Sequence, residues 1–395
     1  MHNSFICETD MKHTVYWIEG DGIGPEIWKV TRPVLDAAMK ASTNGEHEIE
    51  WVELLAGEKA MRQCGTPLPK ETLETLSKAS VAIKGPLGTP VGGGIRSLNV
   101  TLRQTFDLYA CIRPVSWFEG IITPVKHPER VNMVIFRENT EDVYAGIEYA
   151  SGTPEAEKLG DFLRTEFGAA IRAGSAIGIK PMSEAGSKRL VRRAIRYAID
   201  NALPSVTLVH KGNIMKFTEG GFRAWGYEVA REEFGDITIP EKEATPENSK
   251  GKIIIKDRIA DAMFQEALLR PEQYSVLALP NLNGDYISDA LAAQVGGLGM
   301  APGVNMSDEL AIFEATHGTA PTAAGKDIAN PGSLILSGAL MLQHMGFADA
   351  AEKVRNAILG AVADKTVTPD LASEMENATA VSCTQFGEIL LKKII

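Results

Sequence analysis

Short β-branched runs alternate with stretches of helical spacing through most of the chain. Val15-Tyr16-Trp17-Ile18, Val81-Ala82-Ile83, Val131 to Phe136, Val206 to Val209, Ile253-Ile254-Ile255 and Val276 to Leu279 are apolar, short and bounded by turn residues, which predicts buried strands. Between them, apolar positions recur with helical spacing over Ile27 to Met39, Ser187 to Asn201, Ile259 to Leu269 and Ser333 to Met345. Parallel strands need a crossover between them, so this alternation predicts an α/β architecture with substantial parallel sheet. Ser151 to Ile179 breaks the pattern: Gly, Ala and charged residues mix there, and the segment reads as an appendage. Glu241 to Gly251 is a polar loop containing a proline, and no internal repeat is visible.

At 395 residues the chain exceeds what one hydrophobic core usually serves, so two domains, or one discontinuous pair, are expected. Its 44% hydrophobic and 23% charged residues are those of an ordinary globular protein. A formal net charge of -11 excludes a general nucleic-acid or anionic-membrane surface, while leaving room for arginines gathered in one pocket. Cys7, Cys64, Cys111 and Cys383 are scattered without a Cys-x-x-Cys pair, which points to reduced thiols rather than a zinc site or disulfide framework. Met1 to Lys12 has no apolar core of a leader, and no apolar run is long enough to span a bilayer, so a cytoplasmic location is expected.

Three local patterns carry candidate chemistry. Gly20-Asp21-Gly22-Ile23-Gly24-Pro25 lies between a strand and a helix, but its third glycine comes one residue early for a Rossmann phosphate loop and Pro25 opens the helix. A tight structural turn and a cofactor loop both remain open. In Asn281-Leu-Asn-Gly-Asp285-Tyr-Ile-Ser-Asp289, followed by Gly296-Gly297-Leu298-Gly299, a helix would place Asp285 and Asp289 on one face. Their mutual repulsion is relieved by a hard divalent cation, Mg²⁺ or Mn²⁺, or by solvation at a helix start. Arg96, Arg103, Arg113 and Arg137 fall near element ends in an acidic chain. Guanidinium forks beside a metal suit a polycarboxylate; singly, each reads first as a surface residue or a salt-bridge partner.

Taken in order, Gly92 to Arg103, Phe136 to Tyr144, His210 to Gly220, Asn281 to Asp289 and Thr316-His317-Gly-Thr-Ala-Pro321 resemble the bacterial isocitrate dehydrogenases, members of the β-decarboxylating dehydrogenase family with the isopropylmalate and homoisocitrate enzymes. The match runs from about Ile18 to Gly387. The resemblance implies a non-Rossmann α/β fold: a large domain from 1–108 and 296–395, a small domain from 109–141 and 184–295, and a clasp at 142–183 that helps form a homodimer. It also implies that Arg103, Arg113 and Arg137 grip substrate carboxylates and that Ser97 and Asn99 select isocitrate. Asp285 and Asp289 would hold Mg²⁺ or Mn²⁺ with Asp261 of the partner subunit; Asp257, taken as one turn earlier on the same helix, is its rival, and Asp261 matches the family register. Tyr144, and Lys211 of the partner subunit, resemble the family's acid-base pair.

For the nicotinamide dinucleotide the resemblance implies Ile23, Leu87, Thr89, Asn213, His317, Gly318, Thr319, Ala320, Thr322, Ala323, Asn330 and, from the partner subunit, Arg270. NADP-using members read the 2′-phosphate with Lys and Tyr after the His-Gly-Thr-Ala-Pro run and with Tyr and Arg further on. Here those places hold Thr322, Ala323, Pro369 and Ser373, which makes NAD the expected cofactor, with NADP the alternative. The Asp common to NAD-using members at position 322 is also absent, and Gly88 replaces a threonine usual beside the nicotinamide. A catalytically inert regulatory subunit would be expected to have lost metal ligands or the Tyr/Lys pair, and an isopropylmalate or homoisocitrate enzyme to lack Ser97 and Asn99. This chain has them all.

Overall fold

The computed structural model describes residues 11–88 and 97–394; Cys7, Thr89 and Arg96 lie outside the described residues. In chain order the strands are β1 (Met11–Ile18), β2 (His47–Glu53), β3 (Val81–Lys84), β4 (Ala110–Ser116), β5 (Asn132–Glu138), β6 (Glu148–Tyr149), β7 (Ile177–Gly178), β8 (Ser205–His210), β9 (Thr238–Pro240), β10 (Ile253–Ile259), β11 (Val276–Leu279), β12 (Pro302–Met306), β13 (Ala311–Ala315), β14 (Thr366–Val367) and β15 (Thr379–Ala380). The helices are α1 (Gly24–Ser42), α2 (Gly57–Cys64), α3 (Lys70–Leu76), α4 (Leu98–Thr105), α5 (Pro154–Phe167), α6 (Glu184–Asp200), α7 (Glu219–Phe234), α8 (Ala260–Leu269), α9 (Asn281–Gln294), α10 (Gly332–His344), α11 (Ala348–Ala363), α12 (Pro369–Ala372) and α13 (Cys383–Ile394). Each strand and helix predicted from periodicity has its counterpart here.

The chain divides into two compact units. The first comprises residues up to Ile135, Glu266–Tyr274 and Ile287 onward. Its strands run in the order β2-β1-β3-β13-β12-β4-β5. β1 is parallel to β2 and β3, with Val15 opposite Trp51 and Trp17 opposite Ile83, and β3 is parallel to β13. β12 is antiparallel to both neighbours, Val304 facing Phe313 and Ile112. An internal antiparallel strand and this order are foreign to the doubly wound dinucleotide fold. Helices α1, α10, α11 and α13 pack together beside it. Leu334, Ile335, Leu336, Ala339, Met341 and Leu342 are all buried, as a helix apolar on every side must be.

The second unit comprises Phe136–Gln265 and Ser275–Tyr286. Its strands β11-β8-β10-β9 are parallel throughout, with Leu277 opposite Thr207 and Asp257 opposite Leu208. Helices α6 and α7 pack against one another beside them. The segment expected as an appendage holds α5, capped by Thr153 Oγ1 accepting the Ala156 N–H at 3.3 Å, and the short antiparallel pair β6-β7. Helices α8 and α9 begin in this unit and end in the first. Among the described residues no helix is long and apolar enough to cross a membrane.

One expectation is corrected. Asp257 is not on a helix one turn before Asp261; it lies in β10, because the Ile253-Ile254-Ile255 run continues its pairing with β8 as far as Ile259, and α8 starts only at Ala260.

Candidate active site

Helix α9 follows the fully buried strand β11 and carries Asp285 and Asp289 one turn apart. In the second unit, Arg137 near the end of β5 is 1% exposed, and its Nε donates to Asn281 Oδ1 at 2.8 Å while its Nη1 pairs with Asp285. Gly284 makes this approach possible: a Cβ there would stand 2.6 Å from Arg137 Cβ. Tyr144, in the 3-10 turn Asp142–Ala145, donates to Asp285 Oδ2 at 2.6 Å and lies under the Arg137 guanidinium, 4.8 Å from ring centre to Cζ. Burial, reinforced by the bond to Asp285, pushes the Tyr144 phenol up to about 12, so it is protonated at neutral pH.

Lys211 follows β8 directly, and its ammonium pairs with Asp261 on the first turn of α8. That bond holds the Asp261 carboxyl below its ordinary range. Asp257 is occupied elsewhere: hydrogen bonds from His210, Arg223 and Tyr227 hold its carboxyl well below the usual range. Among the pair, Asp261 alone has a largely exposed side chain. Behind Lys211, the backbone N–H of that residue donates to Glu219, which is fully buried and also takes Lys180 Nζ at 2.6 Å and Asn283 Nδ2 at 2.8 Å.

In the first unit, Arg113 on β4 donates from Nη1 to Ser288 Oγ at 2.7 Å and Asp289 Oδ1 at 2.8 Å. Arg103 on α4 donates to Glu314 Oε1 at 3.0 Å, and Glu314 also meets Lys84 Nζ at 2.6 Å and Asn305 Nδ2 at 2.6 Å. Burial alone would push Glu314 up, but the charges of Lys84 and Arg103 outweigh it and hold its carboxyl well below the usual range. Removing one partner of such a buried group costs about 3–5 kcal/mol. Arg103 Nε and Asn99 Oδ1 are buried without a hydrogen-bond partner, and Asn99 Nδ2 reaches Leu87 O only at 3.4 Å. Unpaired buried polar atoms of this kind suit a polar ligand. Ser97 caps α4, its carbonyl accepting the Thr101 N–H at 2.9 Å.

The Gly20–Pro25 segment is a turn locked onto the His317–Ala320 loop. Gly22 has φ +60, and a Cβ there would fall 2.1 Å from Thr319 O, while the Ile23 N–H donates to that same oxygen at 3.0 Å. Asp21 braces the turn, accepting from the N–H groups of Glu58 and Gly88, each at 2.7 Å. Burial lowers the His317 imidazole, whose Nε2 has no partner. Asn330 donates to Asp370 Oδ2 at 2.9 Å, Pro369 opens α12, and Ser373 closes it with its hydroxyl on Asp370 O at 2.9 Å. Thr322 is exposed, Asn213 sits in an exposed turn after Lys211, and Arg270 pairs with Glu266 at 3.2 Å.

Lys84, Glu314, Asn281, Ser288, Asp21 and the Glu219 cluster were not legible as site residues. Lys84 ends an apolar strand, and the others acquire meaning only from partners far away in the chain, 211 residues in the case of Arg103 and Glu314.

The sheet order with its internal antiparallel strand defines an α/β protein outside the doubly wound dinucleotide class, and both aspartates of α9 meet buried arginines. Residues 14–390 match the family described as isocitrate/isopropylmalate dehydrogenase, and the chain belongs to that family. It is 57% identical to a protein of Coxiella burnetii named isocitrate dehydrogenase [NADP], over 100% of this chain and 94% of that one. A Pseudomonas aeruginosa protein of the same name is 56% identical over 96% of this chain and 92% of its own length. The crystal structure of isocitrate dehydrogenase from Methylococcus capsulatus superposes with a TM-score of 0.81 at 38% identity, covering 97% and 99% of the two chains. NADP in the relatives' names runs against the expectation that NAD is favoured.

Proposed function

We propose that this chain is an isocitrate dehydrogenase, oxidising and decarboxylating isocitrate to 2-oxoglutarate and CO₂ in a homodimer whose two sites are shared. The observation that carries this is α9, whose aspartates are each engaged by a buried arginine, Arg137 on Asp285 and Arg113 on Asp289. Carboxylate oxygens one turn apart are the donors Mg²⁺ or Mn²⁺ takes. Among the described residues no three metal-binding side chains come together within the chain, and Asp261 of the partner subunit is proposed as the third ligand. Held by Asp285 and Asp289 with Asp261 of the partner subunit, such a cation would supply Lewis-acid polarisation of substrate oxygen, and a bound dinucleotide would supply the hydride acceptor.

The remaining work falls to the chain's own side chains. Arg113 and Arg137, which pair with Asp289 and Asp285, would neutralise substrate carboxylates, and Arg103, fixed by Glu314, would present its remaining N–H groups to a third. Asn99 Oδ1 and the Ser97 hydroxyl set the distal end of the substrate. Loss of CO₂ leaves electron density at C3, and Tyr144, protonated at neutral pH, holds the proton for that carbon, with Lys211 of the partner subunit on the proton taken from the hydroxyl. Ile23, Leu87, Thr89, Asn213, Asn330 and the His317–Ala323 loop are proposed to line the dinucleotide, with Arg270 of the partner subunit.

NAD over NADP is kept as a proposal on one observation: Thr322, Ala323, Pro369 and Ser373 offer no cation or phenol, and Ser373 spends its hydroxyl on Asp370. Each charge-assisted bond missing from a 2′-phosphate forgoes about 1.5–3 kcal/mol. Steady-state turnover of isocitrate with Mn²⁺ and each dinucleotide in parallel tests both levels. A higher kcat/KM with NAD is expected; a preference for NADP, as the relatives' names have it, would reject the cofactor proposal while leaving the reaction intact.

A further inference from the structure

Lys180, Asp142 and Glu219 form a buried ion cluster in the second unit, outside the residues proposed to bind substrate, metal or dinucleotide. Glu219 is 0% and Asp142 1% exposed, and Lys180 Nζ bridges them at 2.6 and 2.9 Å. Two carboxylates share one ammonium, leaving a net negative charge out of water, which is costly for stability. The charge is partly offset by helix ends: Glu219 is the first residue of α7, and Asp142 Oδ2 accepts the Leu282 N–H on the first turn of α9 at 3.0 Å. Asp142 is itself at φ +69, a left-handed conformation that Asp tolerates better than most non-glycine residues through local hydrogen bonding.

What the cluster touches gives it a purpose. Glu219 Oε2 accepts the Lys211 backbone N–H and, at 2.8 Å, Asn283 Nδ2, two residues before Asp285. Asp142 Oδ1 accepts the Val143 N–H at 2.7 Å and so fixes the turn that presents Tyr144. We propose that Glu219, held by Lys180, is a positioning residue that sets the Lys211 backbone and the first turn of α9 together. The inference rests on the proposed roles of Lys211, Tyr144 and Asp285. Since Lys211 is proposed to serve the partner's site and Tyr144 and Asp285 their own, one buried carboxylate then fixes parts of both active sites.

Glu219→Gln tests it in the full-length, metal-loaded enzyme. The amide keeps the size but gives up the charge that Lys180 answers and can no longer accept on both oxygens. Misplacing a reacting group by a fraction of an ångström slows the chemical step without loosening binding, so kcat is expected to fall about tenfold or more with both KM values within about threefold. Exchange of the C3 hydrogen of 2-oxoglutarate with D₂O, which needs the acid-base groups but no hydride transfer, is expected to fall by the same factor. A purely structural role would lower the melting temperature and leave the kcat of the folded enzyme unchanged. An active parent with a folded Glu219→Gln variant that loses less than about tenfold in kcat, or loses only through KM, overturns this inference alone. A parent inert towards isocitrate overturns the functional reading and this inference with it. Should Glu219→Gln not fold, Asn283→Ala removes one bond from the half-buried edge, and an expected fall of about fivefold in kcat at constant KM decides the same question.

Discussion

At the scale of single residues, chemistry is set by which partner each charged group finds. The residue pattern marks Arg96, Arg103, Arg113 and Arg137 only as a group whose guanidinium forks suit carboxylates, and it is the family resemblance that implies a substrate-gripping role for Arg103, Arg113 and Arg137. What no local pattern gives is that Arg103 is already half engaged by Glu314, or that Arg137 lies over the Tyr144 ring. Ser97 and Asn99 are expected to discriminate at the far end of the substrate, and Ser97→Asp sets like charge against its distal carboxylate. Near-complete loss of isocitrate turnover is expected, with an unchanged circular-dichroism spectrum and melting temperature; turnover within about threefold of the parent would remove Ser97 from the site. The same electrostatics would make phosphorylation of Ser97 inhibitory.

Among the elements, those with one dominant pattern were legible and those with mixed composition were not. β11 and the 206–209 centre of β8 are unbroken apolar or β-branched runs buried on both faces, as parallel strands under helices must be. β4 carries Arg113 and Pro114, and β12 opens with Pro302-Gly303; neither looks like a strand until its neighbours supply the ladder. The spacing of Asp285 and Asp289 says only that a helix there would set both on one face; α9 itself, and the closeness of its packing on Arg137, come from the structure. Gly284→Ala places a Cβ 2.6 Å from Arg137 Cβ and Cγ, so a loss of about 1–3 kcal/mol in denaturant titrations is expected, with a drop in kcat/KM because Asp285 and Arg137 move apart. At the edge of the first unit, His13 on β1 hydrogen-bonds His47 on β2 at 2.9 Å, with Phe347 against both rings. Burial, and then the neighbouring His47, lowers the His13 pKa. A histidine depressed in the folded chain is neutral there while the unfolded chain takes up its proton, so this stability is present above about pH 6.5 and lost as pH falls. His13→Phe is therefore expected to lose less stability than the parent between pH 7 and pH 5.5, read from urea midpoints.

Over the whole molecule, the expected architecture rested on the resemblance more than on periodicity, which gives alternation but neither strand order nor the antiparallel β12. The proposed sharing of sites has a local basis: Lys211 and Asp261, both expected to act in the partner's site, are paired with each other, whereas Tyr144 and Arg137 are paired with Asp285. Mixing inactive Asp261→Asn and Asp285→Asn proteins under subunit exchange is expected to restore activity, because one of the two sites then gathers intact parts. Demonstrated heterodimers without recovery would mean that each chain completes its own site.

The central claim is the reaction itself, and the most direct measurement of it is product stoichiometry. Purified protein given isocitrate, Mn²⁺ and a nicotinamide dinucleotide is expected to release 2-oxoglutarate, CO₂ and reduced dinucleotide in equal amounts, to stop on addition of EDTA, and to resume when Mn²⁺ or Mg²⁺ is restored. Turnover of a different 2-hydroxy acid in preference to isocitrate, or undiminished activity in EDTA, would contradict it.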